Sequence, residues 1–199
     1  MDEPLHAYTG LRWHLDSNAV DDARIEPLVR CTELGWIRLS VGDQAHAEPM
    51  QKPAVYERLL PYLERFDVMF GTLTLDHSRL DMSVVASEDD ARRFELVFAT
   101  LWPHRDRDAD GRGETREGRN RFRDAMHVDT AIRYGASGLV TQDEPMWSAD
   151  ARFIKTFSGF RIVSIAEAFE VTCKRTRHVR YAASNHGRPD PATIPEWPA

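Results

Sequence analysis

Short runs typical of β-strands alternate with longer runs typical of helices through most of this 199-residue chain, and this alternation constrains the fold more than any other feature. Residues 11–15 alternate apolar and polar side chains, as in a half-buried strand, and 36–41 form a second short strand. The apolar runs 138–141 and 161–165 are of the same kind. A chain that alternates strands with crossover helices builds a parallel sheet between helices. The sequence therefore predicts a three-layer α/β/α sandwich with a mainly parallel sheet of four or five strands.

Helix signals fill the intervals between the predicted strands. The segment 18–34 places its apolar residues on one helical face. In 87–101, Ser87 and Asp90 have the spacing of a capping box, with aspartate in place of the usual glutamate. The segment 122–134 is a further helix that leads directly into the third predicted strand. These helices supply the crossover connections that parallel strands require.

The chain is long enough for one domain with a sizeable core, and we interpret residues 1–173 as that domain. Within it, 66–85 shows no clear period, and 104–121 is polar, rich in glycine and highly charged. The sequence predicts a loop or a mobile arm over 104–121. Residues 174–199 are first basic and then rich in proline and glycine, which is typical of a tail that lies loosely on the surface.

Composition excludes several classes of partner and compartment. The formal charge is −6 at pH 7, so a polyanion would need a local basic patch or bound metal ions to be held. Cys31 and Cys173 match no metal spacing, which favours packed thiols in a reducing compartment. No apolar run approaches the roughly 18 residues of a membrane span, and the N-terminal residues lack the pattern of a secretory signal. The sequence predicts a cytoplasmic protein with no membrane partner.

Acidic residues follow the predicted strands. Asp16 follows the first strand, Glu48 the second and Asp143 the third, and Asp124 lies on the inward-facing stripe of the helix before the third strand. Ligands of open parallel sheets collect at the carboxyl ends of the strands. Each acid alone has a simpler interpretation as a helix cap, a dipole partner, a turn residue or a solvated charge. Together they predict a hard cation, Mg²⁺ or Mn²⁺, held by oxygen ligands, a site that suits phosphodiester hydrolysis.

Three segments resemble the signature of PIN domains. In DAMHVDTAIRYGASGLVTQD (124–143), a helix opens with Asp, a His follows at +3, an Ala lies at +7, and a strand ends in T-x-D. LDSN (15–18) resembles the opening L-D-x-N of the family, and RIVSIAEAFE (161–170) resembles its closing strand and helix. The resemblance covers roughly residues 10 to 170, and it implies an insertion at about 66–121, a segment longer than in the smallest members, the VapC-like toxins.

The resemblance implies a ribonuclease that uses Mg²⁺ or Mn²⁺ to hydrolyse RNA phosphodiester bonds by water attack. The acids that match the catalytic and metal-binding set of the family are Asp16, Glu48, Asp124 and Asp143. Asn18 matches the polar residue that orients the first Asp, and Thr141 matches the hydroxyl beside the last. His127 is expected either to touch substrate phosphate or metal-bound water, or to act as a structural hydrogen-bonding residue, which we favour.

The resemblance also bears on partners. RNA is the expected substrate, and an antitoxin protein or a second copy of the chain is left open as a partner, as in toxin–antitoxin pairs. Trp147, soon after the last acid, is expected either to stack on a base or to cover the core. The alternative function is a non-catalytic module on the same fold that binds nucleic acid or another partner.

Seven arginines and five acids interleave over 105–123. The simplest interpretation is a solvated, self-neutralising loop. In the functional interpretation, Arg119, Arg121 and Arg123 lead RNA phosphates toward Asp124, and the basic start of the tail extends this surface. The functional interpretation therefore predicts that the three arginines contribute to RNA affinity.

The segment DRDADGRGETRE (106–117) fits the calcium-loop pattern D-x-D-x-D-G-x5-E. Against calcium binding, Gly113 stands where an apolar residue would normally pair with a second loop, and the sequence has no second loop. Arginines within the segment also oppose the capture of a cation. We therefore expect a mobile insertion near the acidic cluster, with a calcium-binding protein as the less favoured alternative.

Overall fold

The computed structural model describes residues 9–42, 57, 66–71, 85–111 and 115–185. The described residues form a five-stranded sheet. Its strands are β1 Arg12–Leu15, β2 Arg38–Gly42, β3 Asp67–Met69, β4 Gly138–Val140 and β5 Arg161–Val163. Their order is β3-β2-β1-β4-β5, and every neighbouring pair is parallel. The predicted parallel α/β fold is confirmed.

Helices connect the strands and cover both faces of the sheet. The described helices are α1 Ser17–Val20, α2 Glu26–Glu33, α3 Glu88–Leu101, α4 Arg107–Gly111, α5 Arg116–Arg133, α6 Glu144–Trp147, α7 Asp150–Thr156 and α8 Ile165–Asn185, with a 3-10 turn Ala23–Ile25 before α2. None of these described helices combines the length and the apolar character that a membrane crossing requires.

The two faces of the sheet bury different side chains, as alternation along a strand requires. Trp13, Leu15 and Val41 pack in a core with α2 and α8, whereas Leu139 and Ile162 pack with α3, α5 and α7. All five side chains are almost completely buried. The sheet is therefore the middle layer of three, as predicted.

Local caps decide where helices begin. Ser87 Oγ accepts a hydrogen bond from Asp90 N at 3.1 Å, and the Asp90 carboxylate accepts one from Ser87 N at 2.9 Å, so the predicted capping box is confirmed. The single helix predicted over 18–34 is wrong. The Asp22 carboxylate accepts a hydrogen bond from Arg24 N at 2.9 Å and starts a new turn there, which divides the segment into two helices and a 3-10 turn.

The loop predicted over 104–121 is wrong for much of its length, because α4 and the start of α5 occupy it. Asp106 Oδ1 accepts a hydrogen bond from Asp108 N at 2.9 Å just before α4 begins. Thr115 Oγ1 accepts one from Gly118 N at 2.9 Å and starts α5 earlier than predicted. Side-chain caps thus convert a polar, charged segment into helix ends.

An ion pair between α4 and α5 replaces the geometry of a calcium loop. The Asp110 carboxylate accepts hydrogen bonds from Arg121 Nε at 2.7 Å and Nη2 at 2.8 Å, and Asp110 is only 8% exposed. Asp106 caps a helix, and Asp108 pairs with Arg107. The three aspartates of the calcium pattern therefore contact backbone N–H groups and arginines.

The described parts of the predicted insertion and of the predicted tail pack against the rest of the fold. Within 66–121, β3 pairs with β2, and α3 packs against α5. The basic segment predicted as a loose tail is instead helical, because α8 continues through it. Thr176 of that segment is fully buried, and Arg175 Nε donates to Thr9 O at 3.2 Å. Residues 186–199 lie outside the described residues.

Both cysteines are free thiols that pack against the fold. Cys31 is buried, and burial, reinforced by the charge of nearby Cys173, raises its pKa to about 12. A thiol with such a pKa carries almost no thiolate near neutral pH and is unreactive. The predicted packed thiols are confirmed, and the reducing compartment stays a prediction.

A buried ion pair holds α3 against α5. The Asp129 carboxylate accepts hydrogen bonds from Arg93 Nε at 2.7 Å and Nη2 at 3.2 Å, and Asp129 is 2% exposed. Arg93 also donates to Asp90 at 2.8 Å. Burial raises the pKa of Asp129, and the hydrogen bonds from Arg93 act against that rise. The charge of Asp129 therefore depends on Arg93.

We expect Arg93→Ala to lower the free energy of unfolding by roughly 3–5 kcal/mol, because removing one partner of a buried pair leaves the other charge unpaired. Arg92→Ala is the matched control, since Arg92 pairs with Glu88 on the exposed face of α3 and such pairs contribute about 0.2–1 kcal/mol. Urea unfolding followed by circular dichroism measures both losses. Equal losses of stability in the two variants would contradict the role of the Arg93–Asp129 ion pair in holding α3 against α5.

Candidate functional site at the carboxyl ends of β1 and β4

The direction of winding reverses between β1 and β4, the point where parallel sheets open a crevice for ligands. Asp16 N donates to Val140 O at 3.0 Å, and Thr141 N donates to Val163 O at 3.0 Å. Hydrogen bonding thus continues past the ends of both strands and fixes the residues that follow them. These residues form the switch-point cluster: Asp16, Asn18, Thr141, Gln142 and Asp143.

The Thr141 hydroxyl is the centre of the switch-point cluster. Its Oγ1 lies 2.8 Å from Asp16 Oδ2 and 3.2 Å from Asn18 Oδ1. Asp143 N donates to the same oxygen at 3.1 Å, and Gln142 N donates to Asn18 Oδ1 at 2.9 Å. Thr141 itself is fully buried. Four residues predicted for the site, namely Asp16, Asn18, Thr141 and Asp143, are therefore brought together.

Asp16 combines a structural role with its place in the cluster. Its Oδ1 accepts a hydrogen bond from Ser17 N at 2.7 Å, so the side chain caps α1. Its Oδ2 faces Thr141 Oγ1, and the residue is 7% exposed. Ser17 Oγ also lies 3.4 Å from Oδ1, so both oxygens have hydrogen-bond partners and the carboxylate is held in one orientation.

Asp143 is the less constrained carboxylate of the pair. It precedes α6 but makes no capping hydrogen bond with its side chain. Partial burial raises the pKa of Asp143, and the nearby charge of Asp16 raises it further. A carboxylate whose charge is opposed by burial and by a second carboxylate is stabilised by a cation placed between them. The pair consequently has the electrostatics of a cation site.

Asp124 and Glu48 are the other two predicted acids. Asp124 lies half-buried on α5, three residues before His127, and Glu48 lies outside the described residues. Within the part of the chain that the structure describes, no group of three or more His, Cys, Asp or Glu residues is close enough to hold one metal ion. The described site is therefore built on Asp16 and Asp143.

A second polar pair borders the cluster and was missed by the sequence analysis. Gln142 Nε2 donates to Asp22 Oδ2 at 3.1 Å, and Arg24 donates to both oxygens of Asp22. The hydrogen bonds from Arg24 are the main reason why the pKa of Asp22 is lowered to about 2. The D-x-R spacing is visible in the sequence, but only the fold brings it beside the end of β4.

Histidines line the α5 side of the sheet beneath the cluster. His14 lies on β1, fully buried, opposite Ser40 in the parallel register. His127 lies on α5 and is 5% exposed. His14 gave no signal in the sequence, because a lone histidine in a strand pattern does not indicate which residue the register will place beside it. Gly42, at the end of β2, leaves room for both rings.

Trp147 covers the end of β4. Its indole Nε1 donates to Thr141 O at 3.1 Å, and its ring packs against the core formed with α3, α5 and α7. This contact fits the expectation that Trp147 covers the core, and it also fixes the backbone of the central threonine. Base stacking by Trp147 stays a prediction.

The three arginines predicted to bind RNA occupy different environments. Arg121 is engaged by Asp110 and Glu117, and its side chain is only 11% exposed. Its role is to join α4 to α5. Arg119 is exposed and Arg123 is half-buried, and both lie on α5 before Asp124.

We expect Asp143→Asn to stabilise the metal-free protein at pH 7. The pKa of Asp143 is raised in the folded protein, so the stability that this group contributes is complete below the pKa of the unfolded chain and is lost as pH rises through the folded value. The gain should therefore disappear below about pH 3, under the ordinary aspartate pKa. Urea unfolding across this pH range measures the gain in stability. Equal stability of the variant and the wild type at pH 7 would contradict the raised pKa.

Asp22→Asn is the control, because its effect on stability should have the opposite sign. Because the pKa of Asp22 is lowered to about 2, its contribution to stability is present above the ordinary aspartate pKa and is lost as pH falls through 2. This variant should be less stable than the wild type at pH 7, and the loss should shrink in acid. The same measurement thus separates the two carboxylates.

Comparison with known proteins adds no relative. Neither a scan against protein-family models nor a search of curated proteins returns a match for this chain. Membership of the PIN family is therefore a proposal that rests on the sequence segments 15–18 and 124–143 and on the geometry of the switch-point cluster.

Proposed function

We propose that this chain is a PIN-like ribonuclease that hydrolyses RNA phosphodiester bonds with Mg²⁺ or Mn²⁺. The observation that carries the proposal is the meeting of Asp16 and Asp143 at the switch point: the Asp16 carboxylate and the Asp143 backbone N–H both contact the Thr141 hydroxyl, and the Asp16 charge acts on the Asp143 carboxylate. Oxygen ligands of this kind suit hard cations. Besides this geometry, the proposal rests only on the resemblance of the sequence to PIN domains.

The residues present fit such a cation. Mg²⁺ commonly takes only one or two protein carboxylates and completes its octahedral shell with water and substrate phosphate, so a pair of acids is sufficient. When bound, it would polarise the phosphoryl group and lower the pKa of an attacking water molecule. Asp16 and Asp143 would hold the ion, and Asp124 and Glu48 stay predicted members of the set.

The neighbouring polar groups would hold the two carboxylates in place. Thr141 Oγ1 and Ser17 N each fix one oxygen of Asp16, so that its orientation is set before substrate arrives. Asn18 Oδ1 accepts from Gln142 N and thereby ties the start of α1 to the segment after β4. A ligand set that is already oriented loses little entropy when it binds an ion or a phosphate.

RNA would approach along the start of α5. Arg119 and Arg123 lie on this helix before Asp124, where their positive charge would attract phosphates toward the switch-point cluster. Arg121 is left out of the proposed RNA surface because Asp110 holds its guanidinium. The basic segment of α8 is also left out, since Arg175 contacts Thr9, ahead of the amino end of β1.

A non-catalytic RNA-binding module is the second candidate, and one observation favours it. The described carboxylates at the switch point are Asp16 and Asp143, a pair that would suffice to bind an ion but would supply fewer groups to activate water than the four predicted acids. An antitoxin partner stays a prediction, and copurification of a small protein with the expressed chain would test it. A homodimer and a cytoplasmic location also stay predictions.

Cleavage of labelled RNA by the purified protein in Mn²⁺ tests the main proposal. Asp16→Asn and Asp143→Asn should each lower the rate by at least about 100-fold, because each removes a charge from the cation site. Glu144→Gln is the matched control, since Glu144 is an exposed acid directly after Asp143. Cleavage that survives both Asn variants contradicts the assigned site. RNA binding without cleavage in the wild type supports the second candidate.

Arginine variants test the path of the RNA. Arg119→Ala combined with Arg123→Ala should weaken RNA binding and flatten its dependence on salt, because two phosphate contacts and their released counterions are lost. Arg92→Ala, an exposed arginine on α3, is the control and should leave the salt dependence unchanged. Filter binding at several salt concentrations measures the slopes. An unchanged slope in the double variant would remove the start of α5 from the RNA surface.

A further inference from the structure

Arg24 and Asp22 form an ion pair at the border of the switch-point cluster. Arg24 Nε donates to the two oxygens of Asp22 at 2.9 and 3.0 Å, and Nη2 donates to Oδ2 at 2.5 Å. Gln142 Nε2 donates to the same Oδ2 at 3.1 Å. Gln142 lies between Thr141 and Asp143 in the chain, so one carboxylate joins the guanidinium of Arg24 to the cluster.

The two members of this ion pair differ in exposure. The side chain of Asp22 is 21% exposed, whereas that of Arg24 is 72% exposed. Asp22 Oδ1 also accepts from the backbone N–H of Arg24 at 2.9 Å, so the carboxylate is surrounded by N–H donors from two residues. A ligand that approaches from solvent therefore meets mainly the N–H groups of the arginine.

The pairing leaves one side of the Arg24 guanidinium available. A guanidinium carries five N–H groups in a planar fork. Asp22 occupies the side formed by Nε and Nη2, and Nη1 has no partner among the residues that the structure describes. The side formed by Nη1 and the second N–H of Nη2 matches two phosphate oxygens in a pair of parallel hydrogen bonds. Asp22 thus fixes the plane of the guanidinium and leaves a phosphate-binding side free.

The acids of the cluster create a need for such a group. Asp16 and Asp143 repel an anionic strand, and a cation held between them would offset that repulsion at the reacting phosphate alone. Phosphates on either side of the reacting one need donors of their own. Arg24 supplies N–H donors beside the cluster, where Asp22 and Gln142 hold them in one orientation.

We propose that Arg24 is a substrate-binding residue that takes a phosphate next to the scissile bond on the side formed by its Nη1 and Nη2. Asp22 and Gln142 are the groups that position it. The ligand class is a single strand of phosphodiesters, and its identity as RNA rests on the proposed ribonuclease function. This contact lies on a different element from the α5 arginines, in the 3-10 turn that precedes α2.

Binding of a short fluorescein-labelled oligouridylate to the full-length protein in EDTA tests the contact in the absence of cleavage. Arg24→Ala should weaken binding by about 10-fold, because charge-assisted hydrogen bonds to one phosphate are lost. It should also lower the salt slope by about one. Arg24→Lys should keep the slope but recover only part of the affinity, since an ammonium group carries the charge without the fork. Fluorescence anisotropy at several salt concentrations measures both quantities.

Arg92→Ala is the matched control. The Arg92 side chain is 70% exposed and donates from Nη2 to the Glu88 carboxylate at 2.5 Å, as Arg24 does to Asp22, but it lies on α3. The control should leave both the affinity and the salt slope at their wild-type values. Equal losses in the Arg24 and Arg92 variants, or a wild type that binds no more tightly than Arg24→Ala, would overturn the proposal.

The double variant of Asp22→Asn with Arg24→Ala separates a lost contact from an uncovered charge. Removing Arg24 alone leaves the Asp22 carboxylate free to repel phosphate. If that repulsion were the whole effect, the double variant would bind the oligonucleotide as tightly as the wild type, and the proposal would be overturned. If the contact is real, the double variant should stay weaker than the wild type.

The cleavage assay in Mn²⁺ keeps this inference separate from the proposed function. A wild type that fails to cleave RNA but shows the expected Arg24 effects on binding would sink the ribonuclease function and leave the phosphate contact supported. A wild type that cleaves RNA, together with unchanged binding in Arg24→Ala, would sink the contact alone.

Discussion

Parallel pairing between β1 and β4 brings together two chain segments that lie 125 residues apart at the Thr141–Asp16 contact. The hydrogen bond from Asp16 N to Val140 O extends that pairing beyond the strands and fixes where each following side chain lies. A slip of one residue would turn Asp16 or Thr141 to the other face of the sheet. The site, the cap of α1 and the covering contact of Trp147 all depend on this one register.

The two faces of the sheet differ in chemistry. Trp13 and Leu15 belong to an apolar core, while the alternating position His14 faces a polar row with Ser40 and His127. His14 Nδ1 lies 3.1 Å from Ser40 Oγ, and Gly42 leaves space for the rings of His14 and His127.

Much of the dense charge in the described residues is satisfied by local ion pairs. Asp110 pairs with Arg121 between α4 and α5, and Asp129 pairs with Arg93 between α3 and α5. Asp143 differs from both, because the charged group that acts on it is another carboxylate, Asp16. A short sequence motif does not distinguish an acid that is paired with an arginine from one that faces a second acid.

The sequence by itself determined the fold class, since the strand–helix alternation and the caps at Ser87 are local properties that survive without tertiary contacts. It also predicted that Asp16 and Asp143 would lie at one edge, because strand ends in a parallel sheet share an edge, while the family resemblance added Asn18 and Thr141. Only the tertiary structure decided that Arg107–Gly111 is helical and that α5 begins at Arg116. The physical reason is that the partners of the acids in 106–117, such as Arg121, and the partner of His14 are chosen by packing and register, which no local pattern encodes.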